Sequence, residues 1–124
     1  MVDVHNDGSV DSDEVVQLYV STPNSSVPAP RVRLADFQRA HIKAGTKMTV
    51  SLVVAPKWHS VVLENVGGWA TKFWAPSIVV EAGSFGVHVG GGQPNVTVGV
   101  VDATVHVTGA GGPISSSACS SLLQ

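Results

Sequence analysis

Nine carboxylates lie along this 124-residue chain, Asp3, Asp7, Asp11, Asp13, Glu14, Asp36, Glu64, Glu81 and Asp102, and two such groups across one bond would supply a general acid and a general base. Most of them stand beside Gly, Ser or Asn or at the end of an apolar run, where solvated turn positions are expected, so no catalytic pair is assigned. The oxygens of residues 6–14, NDGSVDSDE, have the hardness that calcium prefers. Their spacing departs from the D-x-D-x-D-G loop and lacks its closing glutamate, so a hairpin turn is expected there instead. The histidines, His5, His41, His59, His88 and His106, show no H-x-x-x-H or paired-cysteine spacing, and they are read as surface residues, several at polar-facing strand positions. No G-x-S-x-G elbow presents a serine, and Cys119 has no fixed neighbour to activate it. Gly90, Gly91 and Gly92 read as a turn, because no helix follows to aim its N-terminus at a phosphate. No catalytic, metal-binding or cofactor-binding residue is assigned, and no cofactor is called for.

The elements that would position such groups are strands. The dominant period is two, which sends successive side chains to opposite faces of a sheet. Val2 and Val4 alternate with Asp3 and His5, and Val16, Leu18 and Val20 alternate with Gln17 and Tyr19. Met48, Val50, Leu52 and Val54 form the cleanest apolar face, and Phe85, Val87 and Val89 repeat the pattern opposite Gly86 and His88. Val96, Val98 and Val100 share one parity while Val101, Ala103, Val105 and Val107 share the other, so a bulge or change of sheet is expected at residues 99–102. Turn signals at residues 6–8, 44–45, 67–68, 82–83 and 90–94 separate the runs, and short strands at this spacing suggest a sandwich. Pro23, Pro28 and Pro30 remove backbone donors, so residues 22–30 are expected to cross irregularly between sheets. One short helical turn is expected within residues 56–63. Residues 109–124 are Gly- and Ser-rich and nearly uncharged and read as a flexible tail, which places the domain at residues 1–108.

Composition narrows the partners. With 44% apolar and 13% charged residues and a net charge of -2, the chain has the makings of one domain with its own core. Seven Lys and Arg scattered singly do not make a nucleic-acid surface, and no apolar run approaches the length of a membrane helix. The start, MVDVHNDGS, has neither the basic residues nor the apolar stretch of a signal peptide.

Residues 13–45 carry a more specific signal: E-V-V-Q-L-Y-V at 14–20, a Ser- and Pro-rich loop at 21–30, L-x-x-F-x-R at 34–39 and A-G at 44–45. Further along, residues 79–85, VVEAGSF, look like a V-V-E-P-G-x-F hairpin with Ala82 in place of proline, followed by V-x-V-G at 87–90. The chain resembles, over residues 2–91, the fibronectin type III-like domain found at the C-terminal end of family 3 glycoside hydrolases, the β-glucosidase and β-xylosidase group. The resemblance implies an immunoglobulin-like (fibronectin type III-like) antiparallel β-sandwich that accompanies catalytic domains and does not carry their chemistry. It implies that the partners are the catalytic domains of a parent glycosidase that is secreted, extracellular, vacuolar or lysosomal, with its nucleophile and acid/base residue outside this chain. Glycosidic hydrolysis needs two carboxyl groups about 5–10 Å apart, and none of those here is carried over to such a role. Two departures stand out. Members of the family enter the domain through earlier strands, so the sandwich is expected to lack its first strand or strands and to expose an edge that another chain can pair with. Residues 68–78, GWATKFWAPSI, are longer and more aromatic than the usual connection.

That connection holds the candidate contact residues Trp69, Phe73 and Trp74. Trp58 and Trp69 are read as plugs at the ends of the sandwich, and Phe73 with Trp74 as exposed residues meeting the other domains. The rival readings are a carbohydrate-binding module in which tryptophans stack on a polysaccharide and an adhesion sandwich that binds a protein partner. Two N-x-S/T sequons, at Asn24 and Asn95, are candidate glycosylation sites, with Asn24 in the loop the better acceptor.

Overall fold

The alternating runs become strands where their apolar parity meets a facing layer. The computed structural model describes residues 1–63, 77–109 and 111–114. Among them the strands are β1 (Val2–His5), β2 (Ser12–Ser21), β3 (Arg33–Ile42), β4 (Lys47–Val50), β5 (Ser60–Leu63), β6 (Ser77–Val80), β7 (Gly83–Gly90), β8 (Val101–Val107) and β9 (Gly112–Pro113). They pair antiparallel throughout, in sheets of order β1-β4, β3-β2-β7-β8 and β5-β6-β9. The four-stranded sheet faces the β1-β4 pair across the core, as an immunoglobulin-like sandwich requires.

Two clusters make up that core. Val16, Ala40, Ile42 and Val50 are buried together, with Val2 and Val4 packed over them from β1. Leu18, Val20 and Phe85 form the second cluster, flanked by Val54, Trp58 and Val87, and Leu52 and Val89 touch both clusters. Val20 and Val50 are fully enclosed, and each such burial favours the fold by about 1.5–3 kcal/mol over an exposed side chain. Over residues 16–21 of β2 the apolar parity is buried and the other parity half-buried, as the alternation predicts.

Several expectations are corrected. Residues 22–30 are irregular, but they do not cross between sheets: β2 and β3 are neighbours in one sheet, and the proline-rich segment is a long hairpin loop. Residues 6–11 are not a hairpin turn, because β1 pairs with β4 while β2 lies in the other sheet. They bridge the layers, and Asn6 fixes the bridge by donating from Nδ2 to the carbonyls of Val10 (2.9 Å) and Ile42 (3.0 Å) while Oδ1 accepts the Gly8 N–H (3.0 Å). The apolar run from Met48 stops being a strand after Val50, since the Val53 N–H turns aside to Asp36 Oδ2 at 2.8 Å. Leu52 and Val54 still reach the core.

In place of the bulge or change of sheet expected at residues 99–102, the chain turns through residues 94–99 and its strand begins only at Val101. The Val96 and Thr97 N–H groups both return to the Gln93 carbonyl, and Asn95 (φ 66) and Gly99 (φ 77) are left-handed, so the segment turns and Val98 is left 94% exposed. The one short helical turn expected within residues 56–63 is the 3-10 turn at Pro56–Trp58, and β5 follows at Ser60–Leu63. Within the stretch read as a flexible tail, β9 pairs with β6, and the Ile114 N–H donates to the Ile78 carbonyl at 2.9 Å.

Candidate functional site

Directly opposed residues of an antiparallel pair share a face, so the register sets out the outer surface of the four-stranded sheet. Tyr19 faces His88, and His88 faces Asp102; Ser21 faces Gly86, and Gly86 faces Thr104; Ser84 faces His106. His88 stands between two partners, its Nε2 2.9 Å from Ser21 Oγ and its Nδ1 2.7 Å from Asp102 Oδ1. A carboxylate can only accept, so Nδ1 donates its proton to Asp102, and in the neutral ring Nε2 then accepts from the Ser21 hydroxyl. Gly86 makes the contact possible. A Cβ there would sit 2.4 Å from Ser21 Oγ and 3.0 Å from His88 Nε2.

This is the serine, histidine and aspartate order of a nucleophilic site. Acyl transfer also needs donors aimed at a developing oxyanion, inside a cleft that excludes water. Among the described residues, Ser21 ends a strand on an open sheet face, the Asp102 side chain is 70% exposed, and the main clefts are lined by other residues. The arrangement therefore serves as a polar tie across β2, β7 and β8. Sequence reading missed it because the three residues are far apart in the chain and belong to no local motif. Strand parity together with neighbour order would have found them.

Several of the carboxylates are occupied locally. Asp13 hydrogen-bonds His41 Nδ1 (2.5 Å) and is bridged by the Arg39 guanidinium, and these two partners hold its carboxyl below the usual carboxylate range. Asp11 accepts the Ala44 N–H at 2.9 Å and lies 3.8 Å from His41 Nε2. Asp3 is likewise lowered, first by the Thr49 hydroxyl at 2.6 Å and then by Lys47 at 3.3 Å. Glu81 ties down the proline-rich loop by accepting the Ser26 N–H (3.1 Å) and hydroxyl. Glu64 lies outside the described residues. Among the described residues no three His, Cys, Asp or Glu side chains cluster as a metal site would require.

Two histidines are not the surface residues expected. His88 is one, with its side chain only 20% exposed; His59 is the other. Its ring stacks on Phe85, with centroids 4.4 Å apart and planes 2° from parallel, and burial pushes its pKa below the ordinary 6.5. Trp58 is half-buried against the second cluster, with Lys57 Nζ 4.8 Å from its ring centroid, which suits the plug expected at one end of the sandwich. Trp69, Phe73 and Trp74 lie outside the described residues. Asn24 is exposed in a turn of the long loop, and Asn95 is exposed in the turn before β8. Between β1, the chain after β4 and the sheet, an apolar trough of about 320 Å³ is open to solvent, lined by Val2, Leu52, Val54, Val87, Val101 and Val105 among others.

Facing antiparallel layers, a bulged strand pair at Leu18/Tyr19 and a core of alternating aliphatic residues define an immunoglobulin-like β-sandwich domain. Residues 14–93 match the family described as "Fibronectin type III-like domain", and the chain belongs to that family. It is 37% identical over 91 residues to a beta-glucosidase of Kluyveromyces marxianus, covering 72% of this chain and 10% of that protein. It is 31% identical over 87 residues to an exo-alpha-(1->6)-L-arabinopyranosidase of Bifidobacterium longum, covering 70% of this chain and 10% of that one. Among solved structures, a Kluyveromyces marxianus beta-glucosidase superposes with a TM-score of 0.68 at 29% identity over 86% of this chain and 12% of its own. The Bifidobacterium adolescentis GH3 beta-glucosidase gives 0.62 at 27% identity, over 83% of this chain and 14% of its own. The chain thus spans about a tenth of the curated relatives it matches. The likeness to the fibronectin type III-like domain of family 3 glycoside hydrolases, first read from residues 13–45, extends through the fold.

Proposed function

We propose that this chain is the non-catalytic accessory domain of a family 3-type β-glucosidase or β-xylosidase, packing against that enzyme's catalytic domains and stabilising them. The observation that carries the reading is the match of most of this chain to a small part of much larger glycosidases. A surface feature supports it. Val15, Leu34 and Phe37 lie on the outer face of β2 and β3 next to Tyr19, and Phe37 is 64% exposed, the kind of grouped apolar surface that marks a contact with another domain. Hydrolysis of O-glycosyl bonds then belongs to the rest of the parent, and Asn24, exposed in its loop, is the better glycan acceptor if that parent is secreted.

Two measurements test this. The chain alone is expected not to turn over an aryl β-glucoside; turnover abolished by changing one of its own carboxylates overturns the reading. In an enzyme that carries this domain, Phe37→Asp is expected to lower the midpoint of thermal inactivation while leaving kcat at low temperature unchanged. An unchanged midpoint argues against packing through this face.

A further inference from the structure

The two edges of the four-stranded sheet are defended unequally. β3, at one edge, carries Arg33, Asp36 and Arg39 and is bulged, with Leu18 pairing Asp36 and Tyr19 pairing Leu34 so that Ala35 is the extra residue. Charges and bulges are what blunt an edge against pairing with another chain. β8, at the other edge, reads VDATVHV and has no Lys, Arg, Pro or Gly. It pairs with β7 without a register shift from Val101 to Val107, and among the described residues no strand pairs with its outer side. Its trough-side Val101 and Val105 stay 60% and 41% exposed. A straight, β-prone, weakly charged edge of this kind is a template for strand addition.

We propose that β8 is a homotypic docking edge: two copies of this chain pair β8 against β8, antiparallel about a two-fold axis at Thr104, and join their sheets into one. The occupant is a second copy because the strand is complementary to itself. With Thr104 on the axis, Asp102 falls opposite the partner's His106, and His106 opposite the partner's Asp102, so each dimer gains two acid-imidazole pairs on the polar face. On the trough face Val101 meets the partner's Val107, and Ala103 meets the partner's Val105. Such cross-strand pairs are the unit of sheet stabilisation. Both side chains reach inward to β7 in the single chain, Asp102 through Oδ1 to His88 and His106 through Nδ1 to Ser84 Oγ at 2.7 Å, and each has a second polar atom, Asp102 Oδ2 and His106 Nε2, that those bonds do not use. The contact is isologous and closes at two copies.

Sedimentation equilibrium of the full chain over a concentration series tests this. The wild-type chain is expected to show a monomer-dimer equilibrium. His106→Asp sets two carboxylates against each other at both pairs and is expected to weaken the dimer on the order of tenfold or more. Exchanging the two residues, Asp102→His with His106→Asp, restores complementarity and is expected to restore dimerisation, a recovery that a merely structural role for either residue would not produce. Thr104→Pro, which removes a backbone donor at the axis, is expected to give a monomer; if its circular dichroism shows that it has not folded, the charge exchange decides alone. A chain that stays monomeric at about millimolar concentration, a dimer indifferent to His106→Asp, failure of the exchange to restore it, or open-ended fibres in place of a dimer would each overturn the proposal.

Discussion

Phe85→Ala probes the second core cluster and the histidine stacked on its edge in a single change. Phe85 is 7% exposed, packs with Leu18 and Val20, and lies flat on the His59 ring. Truncating a buried phenylalanine costs about 3–5 kcal/mol, through lost transfer energy and the cavity left behind. The site adjoins a small cleft lined by Asn24, His59 and Ser84, so water and neighbours can partly refill it, and the lower end, about 3 kcal/mol, is expected. Against a total stability of roughly 5–15 kcal/mol for a domain, that is a large fraction, and the thermal midpoint should fall by on the order of 10 °C.

A pH series adds a second signature. The unfolded chain binds a proton at His59 more readily than the folded chain, because burial lowers the folded pKa below 6.5. Protonation therefore favours unfolding: the His59 contribution is intact above 6.5 and is lost as pH falls below that value towards the lowered folded one. Without the Phe85 ring the imidazole is better hydrated, its pKa returns towards 6.5, and this part of the pH dependence flattens. Urea unfolding followed by circular dichroism measures both effects, with the m-value expected to hold. A loss under about 1 kcal/mol would show that the ring is not a core element. An undiminished acid slope in the variant would show that the stack does not set the His59 environment.

Two further changes probe the joints between elements. Asn6→Ala removes both donors that bind the bridge between the sheets to the Val10 and Ile42 carbonyls, and a loss of about 1–3 kcal/mol in urea unfolding is expected, with faster hydrogen exchange in residues 6–11. Nuclear magnetic resonance titration should find the Asp13 carboxyl below the ordinary 3.8, and both Arg39→Ala and His41→Ala should move it up towards that value. The stabilisation tied to Asp13 is present above 3.8 and is lost as pH falls through the lowered folded value, and added salt should weaken it because the group is solvent-exposed.

Local pattern decided a good part of this domain. The alternation in DEVVQLYVS sends Val16, Leu18 and Val20 inward because side chains on a strand alternate faces wherever that strand lies in a sheet, and Phe85 and Val89 follow the same rule. The family was legible too, since residues 14–45 keep strand, proline loop and turn in a fixed order. Parity says nothing about which strands become neighbours. Whether residues 6–11 close a hairpin or bridge two layers, and whether residues 22–30 cross between sheets or loop back within one, depended on where β1 and β3 found partners. Neighbour order also brought Ser21, His88 and Asp102 into one hydrogen-bonded row and left β8 at an edge with neither a bulge nor a Lys or Arg. The pattern along a chain specifies the face of each residue, because that is set by the backbone repeat of its own strand. Pairing is set by how whole layers bury their apolar sides against one another, and only the assembled fold contains that information.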